Sequence, residues 1–463
     1  MRSTIQVMDK NTANAQYIKM TKTPVPSLIV KLSIPTIISM MVTTIYNMVD
    51  QAFIGRLGTS ASGAVGIVFG FMAILQAVGF LFGQGAGAML SRALGSKNND
   101  EANKIASTGF FLAILISSIV ALVCLIFLRP LVFLLGSTKT IAPYAETYTL
   151  FILLSAPFTV SSFTMNNILR YEGRAFLGMI GLLTGAILNM VGDPIFMFVL
   201  DMGIAGAGLS TCLSQIVSFG ILLSFFVRGK TQCRLSVKNF SWNINRIANI
   251  TATGLPSLIR QSLQSVSTII LNSLAGPYGD AAIAAMSIVS RVVFFIFSVA
   301  LGIAQGFQPV CAFNYGARKY GRVREAFWFA FKLSEVCITV VTIGVLIKSS
   351  DIVTIFRHDP EVIKIGTRAL IIQAASQVFI PFCTLIEMAL QTTGKKLFAS
   401  ILSSLKNGVL FIPLLIFMAW WRGLYGIEEA QPLANFVMLI PSIIFAVYFF
   451  KTLPKEDVED ASN

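Results

Sequence analysis

The stretch Ile105–Leu128 contains no charged residue, and Ala175–Leu200 contains a single one, Asp193. Each run is longer than the roughly 20 apolar residues that cross the hydrocarbon core of a bilayer. In hydrocarbon a backbone must satisfy its own polar groups, so runs of this kind are read as helices. They recur along the chain. With 55% hydrophobic and 12% charged residues and a mean hydropathy of +0.77, there is more apolar surface than a soluble fold can hide. The expectation is an all-α integral membrane protein embedded in a lipid bilayer.

Twelve apolar segments are expected between residues 27 and 450. The first starts near Ser27, after a polar stretch without a cleavage pattern, and is read as a retained helix. Placing the N-terminus in the cytoplasm puts roughly two-thirds of the Lys and Arg on the inner side. Arg228, Lys230, Arg234, Lys238 and Arg246 fall in one such connection, and Arg318, Lys319, Arg322 and Arg324 in another. That bias accounts for the net charge of +14 without a nucleic-acid partner. It predicts that both termini are cytoplasmic.

Enzymatic signals are missing from the sequence. The six cysteines are scattered with no CxxC pair, and free thiols are expected. His358 is the single histidine and lies in a polar connection. Gly229-Lys230-Thr231 resembles the end of a phosphate loop, but Ser224 stands where the upstream glycine is required. No cofactor is expected.

The two halves of the chain are related. At a shift of 221 residues and without gaps, Pro35 meets Pro256, Gly58 meets Gly279, and Gln84-Gly85 meets Gln305-Gly306. Gly95 meets Gly316, and Gly173 meets Gly394. Six helices per copy return the chain to the side it started from, so the repeat is parallel. The expected organisation is an N-terminal segment at 1–26, a first lobe at 27–227, a linker at 228–248, a second lobe at 249–450 and a tail at 451–463. The fold class is then twelve transmembrane helices in two pseudo-symmetric six-helix lobes.

Ionisable residues inside membrane spans are expensive and mark function by default. In "ILNMVGDPIFMF", Asn189 and Asp193 are four residues apart and share a helix face. The next segment follows after only a few residues, which brings Thr211 level with Asp193. Asp50 lies at a similar depth in the first segment. Pro194 lacks an N–H and kinks the helix beside the aspartate, and Gly192 admits another backbone. At +221 these positions become Leu271, Leu410 and Leu414, so the second copy lacks the acids. Two carboxylates in a low-dielectric pocket do not both ionise easily, which suits exchange of a proton or of Na+ held by Asp50, Asn189, Asp193 and Thr211. In the second half Arg260 and Arg291 sit deep and could pair with a carboxylate, Glu387 lies near the inner end of its helix, and Lys332, Glu335 and Lys406 also fall within spans.

The stretches "IPTIISMMVTTIYNMVDQAFIGRLG", "NNILRYEGRAFLGMIGLLTGAILNMVGDPIFMF", "GIAGAGLSTCLSQ" and "QPVCAFNYGARKYGRVREAF" resemble the multidrug and toxic compound extrusion (MATE) family. The likeness runs over nearly the whole chain. It implies export of lipophilic, mostly cationic compounds against inward flow of H+ or Na+. It also implies a coupling site at Asp50, Asn189, Asp193 and Thr211, and a first helix that bends at Pro35. One branch of the family uses a second site in helices 7 and 10. Here that part of helix 7 reads "RQSLQSVST" and offers Gln264 beside Arg260, and helix 10 offers Glu387. The expected setting is a bacterial cytoplasmic (inner) membrane, with small organic cations as partners and a monomer as the assembly. A lipid-linked oligosaccharide flippase of a related fold is the alternative, with Arg260 and Arg291 as the basic groups a pyrophosphate would need.

Overall fold

The computed structural model describes residues 14–457, so the first 13 residues of the N-terminal segment and residues 458–463 of the tail lie outside the described residues. Residues 14–22 are helical. Twelve long helices follow: α1 (Val25–Gly55), α2 (Thr59–Gly95), α3 (Asn99–Ile126), α4 (Ala142–Tyr171), α5 (Ala175–Pro194) and α6 (Gly203–Val227). The second six are α7 (Ile244–Ala275), α8 (Asp280–Gly316), α9 (Tyr320–Ile347), α10 (Pro360–Thr392), α11 (Lys396–Arg422) and α12 (Leu424–Thr452). Among the described residues eleven of these are long and apolar enough to cross a membrane. The twelfth long helix is α7. Arg246, Arg260, Gln261 and Gln264, with several Ser and Thr, explain its polarity.

Helices also extend past the apolar runs that announce them. The second run, expected at 62–90, is a helix from Thr59 to Gly95, because Gly, Ala and Ser lower hydropathy without ending a buried helix. Two short helices were not expected, Leu128–Leu134 and Ser349–Phe356. Their first residues stand in the 221-residue register.

The repeat is visible in the backbone. Gly58 and Gly279 cap α2 and α8 with φ of 114° and 90°, a region that disfavours side chains. Lys97 and Arg318, also in register, take φ of 61° and 57° just past α2 and α8. The outer faces repeat too. α3 turns Ile119, Leu122 and Ile126 outward, and α9 turns Val340, Ile343 and Ile347 outward. This is helical spacing on an exposed apolar face, as lipid contact requires.

The chain forms two compact units. One holds the residues up to Lys22 together with Ile38–Leu258; the other holds Thr23–Ile37 together with the residues from Ile259 onward. The divisions fall two residues past Pro35 and two past Pro256, inside α1 and α7. Repeat and compact unit are therefore different divisions of the chain.

Small residues make this packing. In the first unit a Cβ at Gly85 would lie 2.1 Å from the Ile250 carbonyl oxygen, and one at Gly254 would lie 1.8 Å from the Leu81 oxygen. In the second unit a Cβ at Gly306 would lie 2.2 Å from Ser33 Oγ, and one at Gly302 would lie 2.5 Å from Ile37 Cγ1. The second unit also has a hydrocarbon core that includes Leu271, Met286, Val289, Ile338, Leu370 and Leu415.

The 228–246 connection is tied to the first unit. Glu172, fully buried after α4, accepts from the backbone N–H groups of Gln232 at 2.9 Å and Cys233 at 2.8 Å. Arg234 N–H donates to Asn103 Oδ1 at 2.7 Å, and Arg246 forks onto Glu101 at 2.9–3.2 Å.

Candidate functional site

Within the first unit, α1, α4, α5 and α6 bring one polar layer together. Asn189 and Asp193 point from one face of α5, and Asn189 Nδ2 lies 3.0 Å from Asp193 Oδ1. The same amide reaches Thr211 Oγ1 at 3.2 Å and Ser210 Oγ at 3.3 Å on α6. Ser210 Oγ donates to the Asn189 carbonyl at 3.3 Å. Asp50, on α1, lies within electrostatic range of Asp193. All five side chains are buried, with Asp193 fully so.

The local sequence explains the convergence. The four-residue spacing stacks Asn189 on Asp193. Gly192 leaves the gap that Ser210 enters, since a Cβ there would lie 2.5 Å from Ser210 Oγ. After Pro194 the helix widens into a π-turn at Ile195–Val199. Gly206 of α6 accommodates that turn, because a Cβ there would lie 2.6 Å from the Phe196 carbonyl group. Widened turns of this kind recur at functional positions.

Three oxygens in the layer are left over. Asp50 Oδ1, Asn189 Oδ1 and Asp193 Oδ2 are shut from solvent and have no hydrogen-bond partner among the described residues. Buried acceptors without a donor are costly and call for an explanation. Two carboxyl groups this close and this buried do not both carry charge easily. The layer therefore offers buried oxygen acceptors that no donor among the described residues satisfies.

Three residues of this layer were not singled out in the sequence. Ser210 adjoins Thr211 and carried a usable signal. Tyr46 lies one helical turn before Asp50 and within electrostatic range of both acids. Tyr148 comes from α4, is fully buried and lies within electrostatic range of both acids. Nothing in the sequence near Asp50 or Asp193 points to Tyr148.

The second unit has different chemistry. Leu271 belongs to its hydrocarbon core, and Leu410 and Leu414 pack against that core, at the positions equivalent to Asp50, Asn189 and Asp193. Two of its deep charges form a fixed pair in which Arg260 Nη1 donates to Glu387 Oε1 at 2.9 Å, both nearly inaccessible. Of the other two residues proposed for a network there, Gln264 is half-buried and its carbonyl accepts from Thr268, and Arg291 is exposed on α8.

Long apolar helices around a buried oxygen cluster define a polytopic membrane carrier. The family model MatE matches the chain twice, over residues 35–195 and 256–417. The chain belongs to the MatE family, whose members are transporters rather than enzymes. Its relatives include the multidrug export protein MepA of Staphylococcus aureus strain N315, 29% identical over 431 residues, covering 93% of this chain and 95% of MepA. MepA of Staphylococcus saprophyticus is 27% identical over 420 residues, with coverage of 90% and 92%. Among solved structures, a MOP superfamily transporter from Pyrococcus furiosus superposes with a TM-score of 0.88 at 24% identity, over 94% of this chain and 98% of that one. A variant of the Vibrio cholerae MATE transporter VcmN gives 0.86 at 22%, with the same coverage. At these identities the structural likeness speaks for the fold.

Proposed function

We propose that this protein is a cation-coupled multidrug efflux antiporter that exports lipophilic, mostly cationic compounds in exchange for H+ or Na+. The observation that carries the coupling role is the trio of buried, unpartnered oxygens on Asp50, Asn189 and Asp193. The names of the staphylococcal relatives support multidrug export.

The geometry supports the following cycle. A cation arriving at the Asp50–Asp193 layer neutralises the buried pair and removes the electrostatic reason for α1 to hold its position. Repacking of α1 follows, and bound drug is released. Pro35 removes one helix hydrogen bond close to the point where α1 leaves one compact unit for the other. Thr36, Thr43 and Thr44 bond back to carbonyls one turn earlier, a pattern that bends helices. Pro35 is therefore the proposed hinge, and Pro194 fixes the shape of α5 beside the acids. The charge bias of the connections supports both termini inside, and the staphylococcal relatives support a bacterial cytoplasmic membrane; a monomer is the proposed assembly.

The flippase alternative asks for free basic groups. Arg260 is already committed to Glu387, which counts against it.

The test is efflux of an organic cation such as ethidium from cells. Asp50→Asn and Asp193→Asn should each lower it at least tenfold at unchanged expression. Full transport by both variants refutes the coupling role. Flux in vesicles under imposed pH or Na+ gradients identifies the ion.

A further inference from the structure

Lys406 lies near the middle of α11, ten residues past its first residue, or about 15 Å at the helix rise of 1.5 Å per residue. A cation at that depth needs a reason. The side chain is half-buried, so the position is not sealed in the core. It points into the second unit rather than toward lipid. Its ammonium donates to Thr384 Oγ1 of α10 at 2.8 Å and lies 4.9 Å from the ring centre of Phe297 on α8. Thr384 is fully buried.

The charges around it do not balance. Arg260 and Lys406 bring two cations within range of one carboxylate, Glu387, and Cys383 is the other titratable neighbour. Glu387 is paired to Arg260 through Oε1, and among the described residues no carboxylate forms an ion pair with Lys406. Hydroxyl and aromatic contacts orient an ammonium but leave its charge unmatched. The backbone is opened at the same point, because Lys406 sits in a π-turn at Leu405–Val409. Ser267 of α7 holds that turn by donating to the Asn407 carbonyl at 2.6 Å. A widened helical turn with an oriented, uncompensated ammonium is a receptor for an anion.

We propose that Lys406, positioned by Thr384 and Phe297, is the recognition point for the carboxylate of a transported amphiphile. The assignment rests on the export reading above and narrows its substrate class. It gives the second unit a role that the acids of the first cannot fill, since a carboxylate layer repels a carboxylate.

The experiment uses two dyes that differ in one group, a rhodamine methyl ester, which is a cation, and its free acid, which is a zwitterion at neutral pH. Uptake of each is measured in inverted vesicles carrying wild type, Lys406→Gln or Lys406→Arg. The expected result is that Lys406→Gln raises KM for the acid at least tenfold and shifts KM for the ester less than twofold. Lys406→Arg should keep most of the acid transport. Equal loss for both dyes, or no loss for the acid, overturns the assignment. A wild type that moves the ester but not the acid also overturns it and leaves the export reading standing. If wild type moves neither dye, the export reading fails. The same two-dye comparison by fluorescence anisotropy on the purified full-length protein then decides the Lys406 assignment alone, because equal affinities in wild type and Lys406→Gln refute it.

Discussion

Gly254→Ala is the most economical way to probe how this protein holds together. The added Cβ would lie 1.8 Å from the Leu81 carbonyl oxygen, 2.7 Å from the Leu81 carbonyl carbon and 3.0 Å from its Cα. Ordinary contact begins near 3.4 Å, so the shortfall is about 1.6 Å. All three obstacles are backbone atoms, and no rotamer change relieves them. α2 and the first turns of α7 must separate, and the reciprocal seat of Gly85 against Ile250 is lost with them. Overpacking of this kind costs about 1–3 kcal/mol, and the paired contact places the change at the upper end. For a chain of this size that lowers the unfolding midpoint by roughly 3 °C. The assay is thermal unfolding in detergent, read by size-exclusion chromatography. Gly70→Ala is the control, because nothing lies within 4 Å of its added Cβ. Mid-helix Ala is favoured over Gly by roughly 0.5–1 kcal/mol, so the control should match or exceed wild type. A Gly254→Ala protein that melts with wild type would refute the close-approach argument.

Two further outcomes follow from charged pairs. Arg260→Leu alone strands Glu387 in the second unit and should destabilise by about 3–5 kcal/mol, whereas Arg260→Leu with Glu387→Leu should recover much of that. A double variant as unstable as the single one contradicts the pairing. Glu172, in the connection between α4 and α5, has its pKa raised, chiefly by burial, against the lowering pull of the Gln232 and Cys233 amides and Arg174. The folded state thus binds this proton more tightly than the unfolded state does. Its contribution to stability therefore falls as pH rises from the ordinary carboxylate range through the raised value. Glu172→Gln removes that component, so the wild type should lose stability relative to the variant as pH rises. Parallel profiles would contradict it.

The helices were legible because lipid demands long apolar runs, and the repeat because turns such as Gly58/Gly279 tolerate few other residues. Asn189 and Asp193 were legible from helical spacing, and Thr211 from the short connection before it. Arg260 and Glu387 were grouped in one network, but that the two pair directly was not legible, since they lie 127 residues apart and only tertiary packing joins them. Tyr148 was missed for the same reason. The short helix Leu128–Leu134 is too brief to show a clear period beside the longer runs around it. The placement of the first turns of α1 and α7 was invisible as well, because a hydropathy pattern says that a helix exists and not which neighbours it joins.

That placement has a consequence for anyone who would divide the chain. A fragment ending at residue 227 contains six helices, but it lacks Ile250 and Gly254, which fill the groove along Leu81 and Gly85. A fragment starting at 228 lacks Ser33 and Ile37 and leaves Gly302 and Gly306 uncovered. Neither piece is whole, and co-production should rescue what separate production cannot. A one-repeat ancestor built on this plan would have been completed by a twin, each lending the other its opening turns.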